Sequence, residues 1–518
     1  MVQQMVAALL RNLNSGVQDS RLLPPRGQPQ IQMFSKAFVR AGRFTTQFTR
    51  LDFDTRPALG TSATMTLPRK GQMISRLYLV TTLPDIATTQ RAARKACDAS
   101  GFQFLGPTFG WTNSVGHALL TEATIDIGGA RCERLDGRLL EVMDEFHTPL
   151  EKTTLMNSLL PRKDNGFQVG VFGLDDTQTV AVTPLPFWFS NGDSGAFLPI
   201  DAIQADAVTL RVTFTALGNL YVSSAQQSPP TPTASVAGEA YFPLTGSPFY
   251  YANPGGKAVV GLTRPGVAVP ASPIGIKMPN ILTLGDTYVM AEYIYLDRPE
   301  ANRFRIADIQ IPVPQHYPFE PLDTQRSPNV RMPLKVPNPT RTLFFYLQRW
   351  EAARYNAPFL ATRDLSGQGV NVAPWWPDAT GLNVVGLGDL TPGFSTRESE
   401  PLSSLALVYE GKLTRYWTDA PAMFRSLIPS LEMRKSPWVN RYMYALPFDF
   451  QHGHIAASLP TGEGNLDKIL NIELALELHP NRGSANPNDV PRYQVYVWAE
   501  TYNILRVYGG RAGMLFGY

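Results

Sequence analysis

Apolar residues in this chain recur in short alternating runs, and proline or glycine breaks the runs before they grow long. The cleanest is Val208-Thr209-Leu210-Arg211-Val212-Thr213-Phe214, with four apolar residues on one face and Thr, Arg and Thr on the other. Ile472-Glu473-Leu474-Ala475-Leu476-Glu477-Leu478 repeats the pattern, aliphatic against small or acidic. The chain holds 44 Pro and 41 Gly, dispersed rather than repetitive, among 518 residues. That spacing fits many short antiparallel strands joined by turns, and it excludes long helices and the helical rhythm of a parallel sheet. Leu210, Val212, Phe214, Leu474, Leu476 and Leu478 are therefore expected on core strands.

Other runs read the same way: residues 44–49, 77–83, 124–127, 288–295, 343–347, 404–409, 442–446 and 493–499. The run at 124–127 stops at Gly128-Gly129, a turn signal. One helix interrupts the strands, with Asp136 as N-cap and Leu139, Leu140, Val142, Met143 and Phe146 as its buried face. Residues 223–235 are Ser-, Gln-, Pro- and Thr-rich, a composition that no packed element tolerates. Residues 236–284 read as a long connection or surface tower, and 355–400 as a Gly/Pro/Trp-containing insertion. The expected organisation is an arm (1–40), a first sandwich (41–217), a linker with exposed loops (218–284) and a second sandwich (285–518). Alternation on every strand suits two sheets packed face to face, as in jelly rolls, and the lack of a short repeat argues against a propeller or solenoid.

Charged residues make up only 17% of the chain, below the usual quarter. A surface that poor in charge is often covered by partners. The net charge of +3 is uneven, since residues 1–50 carry seven basic side chains against Asp19 alone. Within them, Val2, Met5, Val6, Leu9, Leu10 and Leu13 fall at helical spacing, followed by Arg11, Arg21 and Arg26. So short a helix is marginal alone and needs a surface to lie on. A membrane, nucleic acid or a protein groove fits the basic, amphipathic pattern, and a solvated tail is the plainer alternative. The end of the chain, with Tyr508, Met514, Leu515, Phe516 and Tyr518 and no charge past Arg511, is expected to tuck against the fold or a neighbouring subunit. Cys97 and Cys132 make no disulfide framework and read as free thiols in a reducing compartment. There is no Asn-x-Ser/Thr sequon and no apolar run near the length of a membrane span. A soluble, unsecreted product of the cytosol is expected.

Chemistry is sparse. Gly192-Asp193-Ser194-Gly195 echoes a protease nucleophile loop, but neither His117 nor His147 sits in a matching context, so a turn is the plainer reading. His452-Gly453-His454 offers two imidazoles with no third ligand at metal spacing beyond Asp449 and Glu463, and reads as a surface loop. Trp375-Trp376 and Phe249-Tyr250-Tyr251 suit stacking on a sugar or base, and suit a subunit interface better. No nucleotide loop, HExxH or CxxC is present. No catalytic, cofactor or metal residue is assigned, and no cofactor is expected.

Several segments, in order, resemble the major capsid proteins of nucleocytoplasmic large DNA viruses. They are Trp111-Thr112-Asn113-Ser114-Val115-Gly116-His117-Ala118-Leu119-Leu120 with Ile125-Asp126-Ile127-Gly128-Gly129, and Pro184-Leu185-Pro186-Phe187-Trp188-Phe189-Ser190 with Leu198-Pro199-Ile200-Asp201-Ala202-Ile203. Ala291-Glu292-Tyr293-Ile294-Tyr295-Leu296-Asp297 resembles the opening strand of that family's second jelly roll. Tyr442-Met443-Tyr444-Ala445-Leu446-Pro447-Phe448, Gly464-Asn465-Leu466 and Tyr502-Asn503-Ile504-Leu505-Arg506 complete the set. The resemblance implies an all-β double jelly roll, two eight-stranded antiparallel sandwiches in one chain. It implies homotrimeric, pseudo-hexagonal capsomers that contact neighbouring capsomers and tile an icosahedral shell. It also places the arm toward an inner viral membrane or minor capsid proteins, with no specific nucleic acid. Residence in the virion capsid, assembly in the host cytoplasm and no enzymatic activity follow. The alternatives are a poxvirus-type membrane scaffold on the same fold and a carbohydrate-binding β-sandwich.

Overall fold

Alternating burial along the strands assigns their faces. The structure, a computed structural model, describes residues 44–85, 109–162, 170–171, 180–223, 283–353, 358–359, 361, 363, 400–437, 441–455, 459–480 and 486–517. The expectations for residues 1–40, Cys97, Trp375 and Trp376 lie outside them. The first part of the chain carries β1 (Phe44–Asp52), β2 (Ser62–Thr66), β3 (Met73–Thr82), β4 (Phe109–Thr112), β5 (Leu120–Ile127), β6 (Ala130–Leu135), β7 (Gly170–Val171), β8 (Val180–Leu185), β9 (Val208–Phe214) and β10 (Tyr221–Ser223). The later part carries β11 (Thr287–Leu296), β12 (Ile309–Pro318), β13 (Leu322–Asp323), β14 (Asn329–Leu334), β15 (Thr340–Arg349), β16 (Leu402–Tyr409), β17 (Leu413–Thr418), β18 (Met443–Pro447), β19 (Ile472–Leu478), β20 (Tyr493–Tyr508) and β21 (Arg511–Met514). Helices α1 (Val115–Ala118), α2 (Gly137–His147), α3 (Thr153–Leu159), α4 (Arg298–Ile306) and α5 (Ile428–Glu432) fill the connections.

In the first unit, the sheet β1-β11-β3-β8 accompanies the sheet β2-β9-β5-β6, with β10-β4-β7 as a small third sheet. In the second, β12-β20-β15-β18 accompanies β14-β19-β16-β17. All these pairs are antiparallel. Leu210, Val212 and Phe214 on β9, and Leu474, Leu476 and Leu478 on β19, are buried as their alternation requires. The strand β11, which the resemblance reads as opening the second unit, is instead hydrogen-bonded between β1 and β3 of the first. The chain thus returns to the first unit to complete its sheet before building the second.

Local chemistry explains the turns. Gly128 and Gly129, at φ 58° and 85°, join β5 to β6 with the positive φ that glycine adopts without strain. Asp136 caps α2, its carboxylate accepting from the N–H groups of Arg138 and Leu139. Leu139, Leu140, Val142, Met143 and Phe146 are buried as expected. The chain end folds back at Gly509-Gly510 and pairs β21 with β20, while Tyr508, Leu515 and Phe516 stay exposed. Cys132 is a free, buried thiol, which burial pushes up to about 12.

Candidate functional site

Strand β15 is buried along its whole length, and β18 likewise. An outer sheet shows water one face, so a strand buried on both faces means that both faces are covered. One face of β15 and β20 presents Leu343, Phe345, Leu347, Val495, Val497 and Ala499. The other presents Thr342, Phe344, Tyr346 and Gln348 beside Glu500, Trp498, Tyr496 and Gln494. This second face meets the first unit. Phe344 packs on Phe146 of α2 with ring centroids 5.5 Å apart. Trp498 donates its indole N–H to Asp136 at 3.0 Å, so the residue that caps α2 also takes a hydrogen bond from the second unit. Arg138 lies over the Tyr496 ring at 4.6 Å and donates to Gln348 at 2.8 Å.

Two buried polar clusters flank this contact. The first surrounds α2, whose Glu141, Asp144 and Glu145 are buried. Arg162 pairs with Asp144 from within the first unit. From the second unit Arg441 reaches Glu141 at 2.9 Å and Lys435 reaches Glu145 at 3.4 Å. Three carboxylates thus meet three cations, which is the condition for burying charge without a large penalty. Burial pushes Glu141 up, but Arg441, Arg162 and His117 outweigh it and leave the group far below the usual carboxylate range.

The second cluster crosses the junction again. Glu133 of β6 meets His316 of β12 at 2.9 Å and accepts from the Trp188 backbone N–H at 2.9 Å. Arg341 binds Asp449 at 2.7 Å and Glu500 at 2.9 Å, and donates to the His452 carbonyl at 2.8 Å. His452 lies between Asp449 and Glu500, and its Nε2 is 3.3 Å from Nε2 of His147 at the end of α2. Burial and the neighbouring His452 push His147 down to about 3. Burial lowers His452 too, but Glu500 and Asp449 outweigh it and raise its affinity for a proton.

The structure corrects the reading of His452-Gly453-His454 as a surface loop, because His452 is buried while His454 is exposed. The glycine explains the close packing: a Cβ on Gly453 would sit 2.6 Å from the Arg434 backbone nitrogen. Gly192-Asp193-Ser194-Gly195 is a turn in which the Asp193 carboxylate accepts from the Gly195 N–H. His117 is spent on Glu141 and His147 on the junction, so no nucleophile–base pair forms with Ser194. Sequence reasoning missed the junction clusters. Their one visible signal is the presence of Glu141, Asp144 and Glu145 on the same short helix as its apolar residues.

The outward surface carries apolar side chains. Phe44 and Phe48 stand exposed on the edge strand β1. Met423, Leu427 and Leu431, four residues apart on a continuous π- then α-helical segment, are exposed as well. Phe450 joins them through the bond from the Gln451 N–H to Glu432.

Two antiparallel sandwiches docked through one sheet define a double jelly-roll protein. Residues 32–243 match the family model described as major capsid protein N-terminus, and 306–513 the one described as large eukaryotic DNA virus major capsid protein. The chain belongs to the major capsid proteins of large eukaryotic DNA viruses. It is 22% identical over 513 residues to the major capsid protein of Costelytra zealandica iridescent virus, covering 92% of each chain. It is 25% identical over 221 residues to probable capsid protein 4 of Acanthamoeba polyphaga mimivirus, a match over 42% of this chain and only 39% of that protein. In structure it is similar to the PBCV-1 virus capsid chain, with a TM-score of 0.64 at 16% identity, covering 94% of this chain and 100% of that one. The Faustovirus major capsid protein gives a TM-score of 0.60 at 10% identity over 98% and 97%. Relatives of this kind are structural proteins of the virion and not enzymes.

Proposed function

We propose that three copies of this chain form a pseudo-hexagonal capsomer, and that capsomers tile an icosahedral shell. The carrying observation is the junction: a face buried at full length and fixed by paired charges makes one stiff block of two sandwiches. Two similar sandwiches per chain give six in a trimer, the outline that a hexagonal lattice needs. Phe44 and Phe48, and the patch at Met423, Leu427, Leu431 and Phe450, are the apolar surfaces that neighbouring copies would cover. Analytical ultracentrifugation of the purified chain tests this. A species near three times 57.2 kDa supports it, and a monomer at micromolar concentration contradicts it.

The arm (1–40) is proposed to lie under the shell, against an inner membrane or minor capsid proteins. The first sandwich (41–217, completed by β11), the linker (218–284) and the second sandwich, which follows β11, stand above it, with assembly in the host cytoplasm. Deleting residues 1–13 leaves trimers intact and abolishes co-sedimentation with anionic liposomes. Replacing Arg11, Arg21 and Arg26 by Gln weakens that binding and its salt sensitivity. Unchanged sedimentation in both variants would point to a protein partner instead.

A further inference from the structure

Three ligand atoms converge at the junction between the two sandwiches. They are Nε2 of His147 at the end of α2, Nε2 of His452 after β18, and a carboxylate oxygen of Glu500 on β20. The two Nε2 atoms are 3.3 Å apart, and His452 Nε2 is 3.0 Å from Glu500 Oε2.

The outer nitrogens determine what these inner ones can be. His147 Nδ1 lies 3.0 Å from the Met143 carbonyl, which can only accept. His452 Nδ1 lies 3.1 Å from both oxygens of the Asp449 carboxylate, and 2.9 Å from the Thr342 hydroxyl. His147 Nδ1 therefore carries the proton of its ring and its Nε2 turns a lone pair inward, while His452 has a carboxylate at each nitrogen, so a proton or a metal ion belongs on its Nε2. Without that proton or ion, two lone pairs and a carboxylate oxygen would face one another, and the repulsion is strong in a buried site. Glu500 Oε2 faces His452 Nε2 at 3.0 Å, while its partner oxygen accepts from Arg341. Something positive belongs between the three atoms.

Size and charge point to what it is. Two nitrogens bound at about 2.0–2.1 Å to one tetrahedral zinc lie about 3.3 Å from each other. The ring orientation is also that of metal-bound histidines, each holding a carbonyl or carboxylate through its other nitrogen. Around the site, Asp449 and Glu500 bring two negative charges against Arg341, and Glu133 is held by His316. The remaining negative charge favours a cation at this point.

We propose that His147, His452 and Glu500 bind a divalent transition metal ion, zinc by preference, which pins the end of α2 in the first sandwich to β20 in the second. Water completes the fourth position. The ion is structural: its ligands come from both units, so it is held only while they are docked.

The test uses untagged, full-length protein exchanged into zinc, then into cobalt. Wild type retains one zinc per chain by elemental analysis. Its cobalt form shows the visible bands of a tetrahedral ligand field. H147Q and E500Q each lower metal retention by about tenfold or more, and chelation lowers the thermal midpoint of wild type but not of H147Q. A folded wild type that retains no zinc and shows no tetrahedral cobalt bands overturns the proposal. Retention in H147Q equal to wild type overturns it too. The cobalt spectrum of wild type alone decides the matter where a variant does not fold.

Discussion

The two faces of the sheet β12-β20-β15-β18 are built from different chemistry. Toward its own sandwich the sheet shows Leu343, Phe345, Leu347, Val495, Val497 and Ala499, a face made by area burial alone. Toward the first sandwich it shows Thr342, Phe344, Tyr346, Gln348, Tyr496, Trp498 and Glu500, where nearly every residue has a directional partner. An apolar face tolerates small shifts in packing. A face of hydrogen bonds and ion pairs accepts one register, because a slip leaves buried charge unpaired. The first kind of face makes a sandwich, and the second fixes how two sandwiches sit together.

Breaking the directional face at its centre has the largest expected effect. Arg341→Met removes the guanidinium that Asp449 and Glu500 share and lowers stability by about 3–5 kcal/mol, read by urea unfolding at fixed protein concentration. A loss below about 1 kcal/mol would mean that the cluster is solvated. Leu476→Ala, in the apolar interior of the second sandwich, is expected to lose about 2–5 kcal/mol. It does so without loosening the junction, so hydrogen exchange in α2 stays as in wild type at matched distance from the midpoint.

Acid sharpens the same comparison. Glu141 is held below its unfolded value by Arg441 and Arg162, in spite of burial. A depressed carboxylate contributes its full stability above the unfolded value, about 4.3, and loses it as pH falls toward the folded one. Junction stability therefore drops on acidification below about pH 5. Glu141→Gln flattens that limb, and an unchanged limb would remove Glu141 from the account. Trp498→Phe keeps the ring but deletes the bond to Asp136, a change of about 1 kcal/mol. The smallest effect belongs to a pair on the outer sheet. Arg331, an exposed side chain 3.2 Å from Glu473, contributes under about 1 kcal/mol, so Arg331→Gln is nearly silent.

Much of the fold is legible in the sequence because alternation reports one buried face. The strands read at 208–214 and 472–478 coincide with β9 and β19. Where both faces are buried the code is lost: 343–347 reads as a plain apolar run, and nothing in it separates the junction side from the sandwich side. Strand β12 is missed for another reason. Pro312, Pro314 and Pro318 argue against a strand, yet β12 sits at a sheet edge, where missing N–H donors are tolerated. The junction charges are invisible in principle, since Arg341, Asp449 and Glu500 meet only through long-range pairing. His452 is misplaced at the surface because Gly453 reads as a loop signal, whereas its missing side chain lets the backbone approach Arg434.

The central claim is that the directional face makes two sandwiches into one block. Hydrogen-exchange mass spectrometry through a urea titration tests it most directly, comparing peptides from β9 in the first unit with peptides from β19 in the second. The account predicts one shared midpoint for both, shifted together by Arg341→Met. Separate midpoints in the wild-type chain would contradict it, and would leave two independent sandwiches on a tether.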